Sequence, residues 1–266
     1  IEKAPAKINL GLDVLGKRAD GYHELEMVMS SVDLADRLIM EELEEDKIII
    51  ETNKAFLPID KRNNVYQAAS IVKKRYGINK GILIRITKNI PVAAGLGGGS
   101  TDCAAALRGM DRLWQLGLTM PELIDIGMEV GTDVPYCIYG TTAFISGKGE
   151  KVTPLRPMPQ GSVVLVKPRL SVSTGKIFQE VDLDQLHHPD IQELSDAILA
   201  EDYQRMIAAM GNSLESITIP KHPVVQQIKE RMMKYGADVA LMTGSGPTVF
   251  ALCQKYSRAQ RVYNAL

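Results

Sequence analysis

The segment Gly95-Leu96-Gly97-Gly98-Gly99-Ser100 places four glycines within five positions, directly ahead of a stretch with the apolar spacing of a helix. Glycine costs about 1 kcal/mol where regular structure is wanted, because it loses the most backbone freedom on ordering. A run of this kind at a helix start therefore needs a reason. Without Cβ atoms, several N–H groups can converge on phosphate oxygens, and the following helix adds the positive end of its dipole. Ser100 and Thr101 add hydroxyl donors, with magnesium also in reach. Tight packing at a helix start, or a flexible linker, is the bland alternative for the loop alone.

Two better-known glycine motifs are excluded. A Walker loop requires a Lys directly after the run, and none is present; Gly175-Lys176 is followed by Ile177 and lacks the upstream glycine. A dinucleotide fingerprint requires a third glycine where Ser100 stands, and Lys88 to Ala94 make too long a link from the preceding strand.

The periodicity around this loop predicts an α+β chain rather than a doubly wound sheet, since helices interleave without regular βαβ alternation. Alternation over residues 8–15 predicts a strand, and residues 16–21 a turn. Strands are expected over residues 22–32, 37–40, 47–51 and 82–86, with the acidic run 41–46 as a solvated turn. Helices are expected at 64–76, stopped by Gly77, and at 101–116. Thr119-x-x-Glu122 is a capping box opening another. Prolines 154, 157 and 159 mark a join, giving an N-terminal domain over 1–155 that carries the glycine run and a C-terminal domain over 156–266. In the latter, strands at 163–166, 239–242 and 248–253 accompany helices near 190–200, 202–215 and 222–235.

Composition narrows the function. Over 266 residues, 45% are hydrophobic and 24% charged, with a formal charge of −1. That balance leaves no basic field for nucleic acid, although a local phosphate pocket needs only a few cations. Cys103, Cys137 and Cys253 are isolated, which fits buried packing in a reducing compartment and neither a disulfide scaffold nor structural zinc. No apolar run is long enough for a bilayer, and Ile1 to Pro5 carry no signal sequence, so a cytoplasmic protein is expected. The absent initiator Met places residue 1 inside the natural N-terminus on this reading.

Three ordered motifs resemble one family. Pro91-Val92-Ala93-Ala94-Gly95-Leu96-Gly97-Gly98-Gly99-Ser100 is similar to the phosphate loop of the galactokinase, homoserine kinase, mevalonate kinase and phosphomevalonate kinase (GHMP) superfamily. Pro5-Ala6-Lys7-Ile8-Asn9-Leu10 resembles its N-terminal motif, and Gly244-Ser245-Gly246-Pro247-Thr248-Val249-Phe250 its C-terminal glycine motif. Arg18-Ala19-Asp20-Gly21-Tyr22-His23 and Gly131-Thr132-Asp133-Val134-Pro135 resemble the branch that phosphorylates the 2-hydroxyl of a cytidylated polyol in the non-mevalonate isoprenoid pathway. The resemblance runs from residue 3 to the end. It implies a two-domain fold of mostly antiparallel sheets with helices, with the active site in the interdomain cleft. One departure is visible: the family closes with a strand after its last helix, whereas this chain stops at Leu266 in a helical stretch.

The resemblance also assigns roles. Asp133 is implied as the base and Lys7 as the group that orients it and stabilises the transferring charge. By residue type alone, Asp133 reads as a helix cap or Asx turn, and Lys7 reads equally as an exposed strand position or a functional one. ATP is implied on Pro91 to Thr101, with Asn64 near the adenine and Mg2+ held mainly by phosphates and water; no acidic metal ligand stands out, and Asp102 reads equally as a dipole-compensating residue. Asn9, on the strand face of Lys7, is implied to bond the substrate or Asp133. His23 would pair with the cytosine edge while Tyr22 and Phe178 stack on its faces, although Phe178 alone reads equally as a core aromatic. Lys148 would meet the base through its backbone, and Thr174 the diphosphate; Gly244 and Ser245 complete the substrate set. His187, His188 and His222 receive no role.

Two alternatives remain. Another superfamily kinase, acting on homoserine, mevalonate or a sugar, would have no base to stack on Tyr22. A non-catalytic nucleotide-binding regulator would need neither Lys7 nor Asp133. Neither membrane nor nucleic acid is expected as a partner, and the chain is expected to be a monomer or homodimer.

Overall fold

The computed structural model describes all of residues 1–266, which divide into two compact units interleaved along the sequence. The first comprises Ile1–Lys7, Val32–Pro91 and Gly97–Gly140; the second comprises Ile8–Ser31, Val92–Leu96 and Thr141–Leu266.

The first unit takes residues 2–7 of strand β1 (Glu2–Lys17) and residues 32–43 of strand β2 (His23–Leu43). It adds β3 (Ile48–Thr52), α1 (Asn64–Tyr76), β4 (Gly81–Thr87), α2 (Gly98–Trp114), α3 (Met120–Val130) and α4 (Val134–Tyr139). The strand order is β3-β4-β2-β1. β4 runs antiparallel to β2, with Arg37 opposite Thr87 and Leu43 opposite Gly81. β3 lies parallel to β4, so β3-α1-β4 is one βαβ crossover within an otherwise antiparallel arrangement.

Local signals account for the helix ends. Asn63 caps α1 by accepting from the Val65 amide at 2.9 Å, and Gly77 ends it in the left-handed region at φ 63°. The capping box of α3 is formed in both directions between Thr119 and Glu122. Val65, Ala68, Ala69 and Val72 bury one face of α1, which packs on α2 and α3.

Two expectations change here. Residues 23–32 and 37–40 belong to one 21-residue strand, β2, with Tyr22 just ahead of it. Its polar interruption is tolerated because Asp36 is buried and satisfied: Oδ1 accepts from the amides of Asn89 and Ile90 at 2.6 and 2.8 Å. The acidic run is only partly a turn. Glu41 to Leu43 remain in β2, where Glu41 accepts from Arg85 at 2.7 Å and Glu42 from the Trp114 indole at 3.0 Å.

The second unit carries the rest of β1 and β2 with β5 (Ala143–Gly147), β6 (Lys151–Pro154), β7 (Ser162–Val166) and α5 (Thr174–Gln179). A 3-10 turn (Leu183–Gln185), α6 (Ile191–Leu199), α7 (Tyr203–Ala209), β8 (Gly211–Asn212), α8 (Glu215–Lys221) and α9 (Val224–Lys234) follow. The unit ends with β9 (Val239–Met242), β10 (Val249–Cys253) and α10 (Tyr256–Asn264). β5 pairs antiparallel with β2, Leu25 opposite Gly147, and β8 pairs parallel with β1 at Gly11 and Leu12. A second sheet, β7-β10-β9, is antiparallel; every residue of its central strand β10 is buried beneath α9 and α10.

The helix expected over 202–215 ends at Ala209; β8 follows, and α8 begins only at Glu215. Asn212 causes the break: its side chain donates to the carbonyls of Met242 and Gly244, both at 2.8 Å, and accepts from the Leu214 amide at 3.0 Å. All three cysteines are free and buried. No helix is long and apolar enough to cross a membrane.

Candidate active site

In the first unit the glycine run is itself the first turn of α2, which begins at Gly98 and not at Thr101. Gly97 occupies the N-cap position at φ 68°, left-handed backbone that favours glycine, and makes no side-chain cap. Helix geometry leaves the amides of Gly98, Gly99 and Ser100 without intrahelical acceptors, while Thr101 donates to the Gly97 carbonyl at 2.9 Å. Each glycine also faces a specific neighbour. A Cβ at 97 would stand 2.9 Å from Lys7 Cγ, one at 98 would stand 3.3 Å from Lys88 Nζ, and one at 99 would stand 3.2 Å from Asn64 Nδ2. Tight packing and close approach are thus the same property. Pro91, Val92, Ala93 and Gly99 are exposed, whereas Ala94, Leu96 and Thr101 are buried.

Lys7 is buried on β1, and its Nζ lies 3.9 Å from Asp133 Oδ2. Asp133 stands at the N-cap position of α4, yet its side chain makes no capping bond. The capping role is therefore not what fixes this Asp, and its carboxylate, 37% exposed, is available to a reactant. Arg108 of α2 ties the two carriers together. It donates to the Cys137 carbonyl of α4 at 3.2 Å and to the Lys3 carbonyl of β1 at 3.3 Å.

Beneath the start of α2, Lys88 sits between two buried acids. It donates to Asp102 Oδ2 at 2.6 Å and also to Asp36. Two acids against one base leave an excess of negative charge, and Asp102 Oδ1 has no hydrogen-bond partner. Burial pushes the Asp102 carboxyl up to about 7, opposed by Lys88 and reinforced by Asp36. Asp102 is thus part of an ion cluster and is more than a dipole-compensating residue.

In the second unit, Asn9 is fixed by Thr243. The Asn9 amide donates to Thr243 Oγ1 at 3.1 Å, and the Thr243 hydroxyl reaches both Asn9 Oδ1 and the Gly95 carbonyl at 3.2 Å. Gly244 and Ser245 follow directly. The Ser245 hydroxyl lies 2.8 Å from that of Thr174, so these two expected substrate residues meet. His23 and Phe178 also meet, with ring centroids 5.2 Å apart and planes tilted by 37°. Tyr22 is exposed, with Lys148 Nζ 4.6 Å from its ring centre. The Lys148 amide donates to Glu150 at 2.7 Å, so a base contact by its backbone would fall to the carbonyl. Burial, and secondarily Lys17, holds the His23 imidazole below its ordinary pKa. A neutral imidazole offers one donor and one acceptor, which suits the edge of a base. An open pocket of about 370 Å³ lies against His23, lined also by Lys17 and residues 181–184.

Arg108, Lys88 and Thr243 escaped the sequence reading. The only local signal was for Thr243, which directly precedes the glycine motif. No group of three or more His, Cys, Asp or Glu side chains comes together to hold a metal.

Known proteins match this arrangement. The GHMP kinases N terminal domain family matches residues 63–141, and the GHMP kinases C terminal family matches residues 194–266. A 4-diphosphocytidyl-2-C-methyl-D-erythritol kinase of Enterococcus faecalis is 64% identical over 266 residues, covering 100% of this chain and 94% of the relative. That of Listeria monocytogenes is 53% identical over 263 residues, covering 99% and 90%. The crystal structure of a 4-(cytidine 5'-diphospho)-2C-methyl-D-erythritol kinase superposes with a TM-score of 0.83 at 30% identity, covering 99% of this chain and 93% of that one. A homoserine kinase from Cytophaga hutchinsonii shares the fold, with a TM-score of 0.80 at 21% identity over 99% and 88% of the two chains. Full-length identity at this level, on a fold shared with other kinases of the superfamily, places the chain in the 4-diphosphocytidyl-2-C-methyl-D-erythritol kinase family of the GHMP kinases.

Proposed function

We propose that the chain transfers the γ-phosphoryl group of ATP to the 2-hydroxyl of 4-diphosphocytidyl-2-C-methyl-D-erythritol, a step toward isoprenoid precursors. The observation that carries the reaction is the 3.9 Å approach of Lys7 to an Asp133 carboxylate left free of capping. The ATP phosphates take the amides of Gly98, Gly99 and Ser100 at the positive end of α2. Asp133 orients the acceptor hydroxyl and takes its proton late, as the bond from that oxygen to the γ-phosphorus forms and the bond to the β,γ-bridging oxygen breaks. ADP leaves with that bridging oxygen. Lys7 stabilises the charge on the phosphoryl oxygens and holds Asp133.

Magnesium accompanying the phosphates would be held by phosphate oxygens, water and the Ser100 hydroxyl, and would supply neutralisation of phosphate charge. His23 reads the cytosine edge, and Phe178 and Tyr22 supply aromatic faces worth about 1–3 kcal/mol per stacked base. Thr174 and Ser245 serve the diphosphate, and Asn9 the acceptor.

ADP release measured with a panel of acceptors tests the reading. Turnover is expected with the cytidylated erythritol, and not with homoserine, mevalonate or galactose. His23→Ala should raise KM for the cytidylated acceptor far more than KM for ATP. Faster turnover of an acceptor without a base would replace the substrate assignment, and no ADP release with any of them would leave a nucleotide-binding regulator.

A further inference from the structure

His188, which precedes α6, takes no part in phosphoryl transfer or base stacking, yet both its ring nitrogens are engaged. Nδ1 lies 2.7 Å from Asp13 Oδ1, and Nε2 lies 3.0 Å from the Leu183 carbonyl oxygen. Both partners are acceptors. A neutral imidazole carries a single N–H, so serving a carboxylate and a carbonyl together requires the doubly protonated ring. Asp13 is buried on β1, and the Ser213 hydroxyl fixes the same oxygen from 2.5 Å. Leu183 opens the 3-10 turn, and with Val181, Asp182 and Asp184 it lines the pocket that His23 and Lys17 complete.

We propose that His188, as an imidazolium, is a positioning residue that clamps the 3-10 turn to Asp13 and so holds the wall of the base pocket in place. Loss of its proton forces the ring to surrender one of the two acceptors. Affinity for the cytidylated acceptor then falls, and affinity for ATP does not. The inference rests on reading the His23 pocket as the base site.

The surrounding charges are few. From β1, Asp13 is the group in contact. The turn offers the Leu183 carbonyl, and its Asp182 carboxylate accepts from the Asp184 amide at 3.3 Å. In the segment of His188 itself, His187 adjoins it, and Asp190 is occupied in capping α6 at the Glu193 amide. The hydrogen bond to Leu183, followed by that to Asp13, raises the His188 pKa above its ordinary value. The clamp is therefore complete below the ordinary histidine range and is lost as pH rises through the raised value. His23 is shifted the other way, by burial and then by Lys17, so the two histidines depart from the ordinary value in opposite directions.

The test is kcat and both KM values from about pH 5.5 to about pH 9 for the native protein, His188→Gln, His188→Arg and His23→Ala. In the native protein, KM for the cytidylated acceptor should rise about fivefold on the alkaline side, the equivalent of one lost hydrogen bond. His188→Gln should show the raised value at every pH. His188→Arg, permanently charged with several donors, should keep the low value across the range. Native KM in His188→Gln, or an alkaline rise that persists in His188→Arg, would overturn the clamp. Imidazole 15N shifts of the native protein give a readout independent of folding of the variants, and a neutral His188 at about pH 6 would also overturn it. Unchanged acceptor KM in His23→Ala would instead remove the base-pocket reading, whatever His188 does.

Discussion

Gly97 and Lys7 occupy each other's space: a Cβ on residue 97 would stand 2.9 Å from Lys7 Cγ. The loop proposed to receive phosphate and the lysine proposed to stabilise its transfer are therefore one packed unit. Gly97→Ala introduces that clash and also places an L-residue at φ 68°, which costs about 1–2 kcal/mol. The variant is expected to lose at least about tenfold in kcat and to bind ATP more weakly. Unchanged kinetics in a folded Gly97→Ala protein would show that the loop and Lys7 are not coupled.

Asp133→Asn keeps the shape of the side chain but cannot take a proton, and Lys7→Ala removes the charge beside it. Each is expected to lower kcat by about 10²–10⁴-fold, with KM for ATP changed by no more than about threefold. Steady-state kinetics and nucleotide titration separate the two effects. Near-native turnover in Asp133→Asn would remove the base assignment.

What could be read from the sequence follows how local each interaction is. The cap at Asn63, the stop at Gly77 and the box at Thr119 and Glu122 involve partners within a few residues, so their chemistry shows in the order of residues. The glycine run shows because glycine is conspicuous where a helix begins. Thr243 contacts Asn9 from 234 residues away, and Arg108 meets Lys3 from 105 residues away. A Thr or Arg is common anywhere, so nothing along the chain marks such a partner. The same holds for His188, whose role depends on Asp13, 175 residues distant. Along the sequence β2 reads as two strands, because a polar residue inside a strand looks like a break. Only the folded chain shows that Asp36 is fully satisfied.

Arg108 joins α4, which begins beside Asp133, to the strand that carries Lys7, through the carbonyls of Cys137 and Lys3. Arg108→Met retains most of the buried stem and loses both donors. The expected result is a drop in kcat of about tenfold or more, since each lost hydrogen bond to a charged group is worth about 1.5–3 kcal/mol. KM for either substrate should change little. Arg108→Lys, which reaches one carbonyl at most, should fall between. A Met variant with native kcat and only a lowered melting temperature would mark Arg108 as structural.

The excess acid around Lys88 predicts an unusual pH dependence of stability. Burial raises the Asp102 pKa to about 7, against an ordinary value of about 3.9. Between those values the folded protein holds a proton that the unfolded chain releases. The contribution of this group to stability is therefore fully present below about pH 4, falls as pH rises, and is lost above about pH 7. Asp102→Asn stays neutral throughout, and its carbonyl can still accept from Lys88. Urea unfolding should show the native protein and Asp102→Asn alike near about pH 4, with the variant progressively more stable as pH rises to about 8. Lys88→Met, by contrast, leaves both acids without their cation and should cost about 3–5 kcal/mol at neutral pH. Parallel pH profiles for the native protein and Asp102→Asn would show that Asp102 is ionised throughout, and that Lys88 alone balances the cluster.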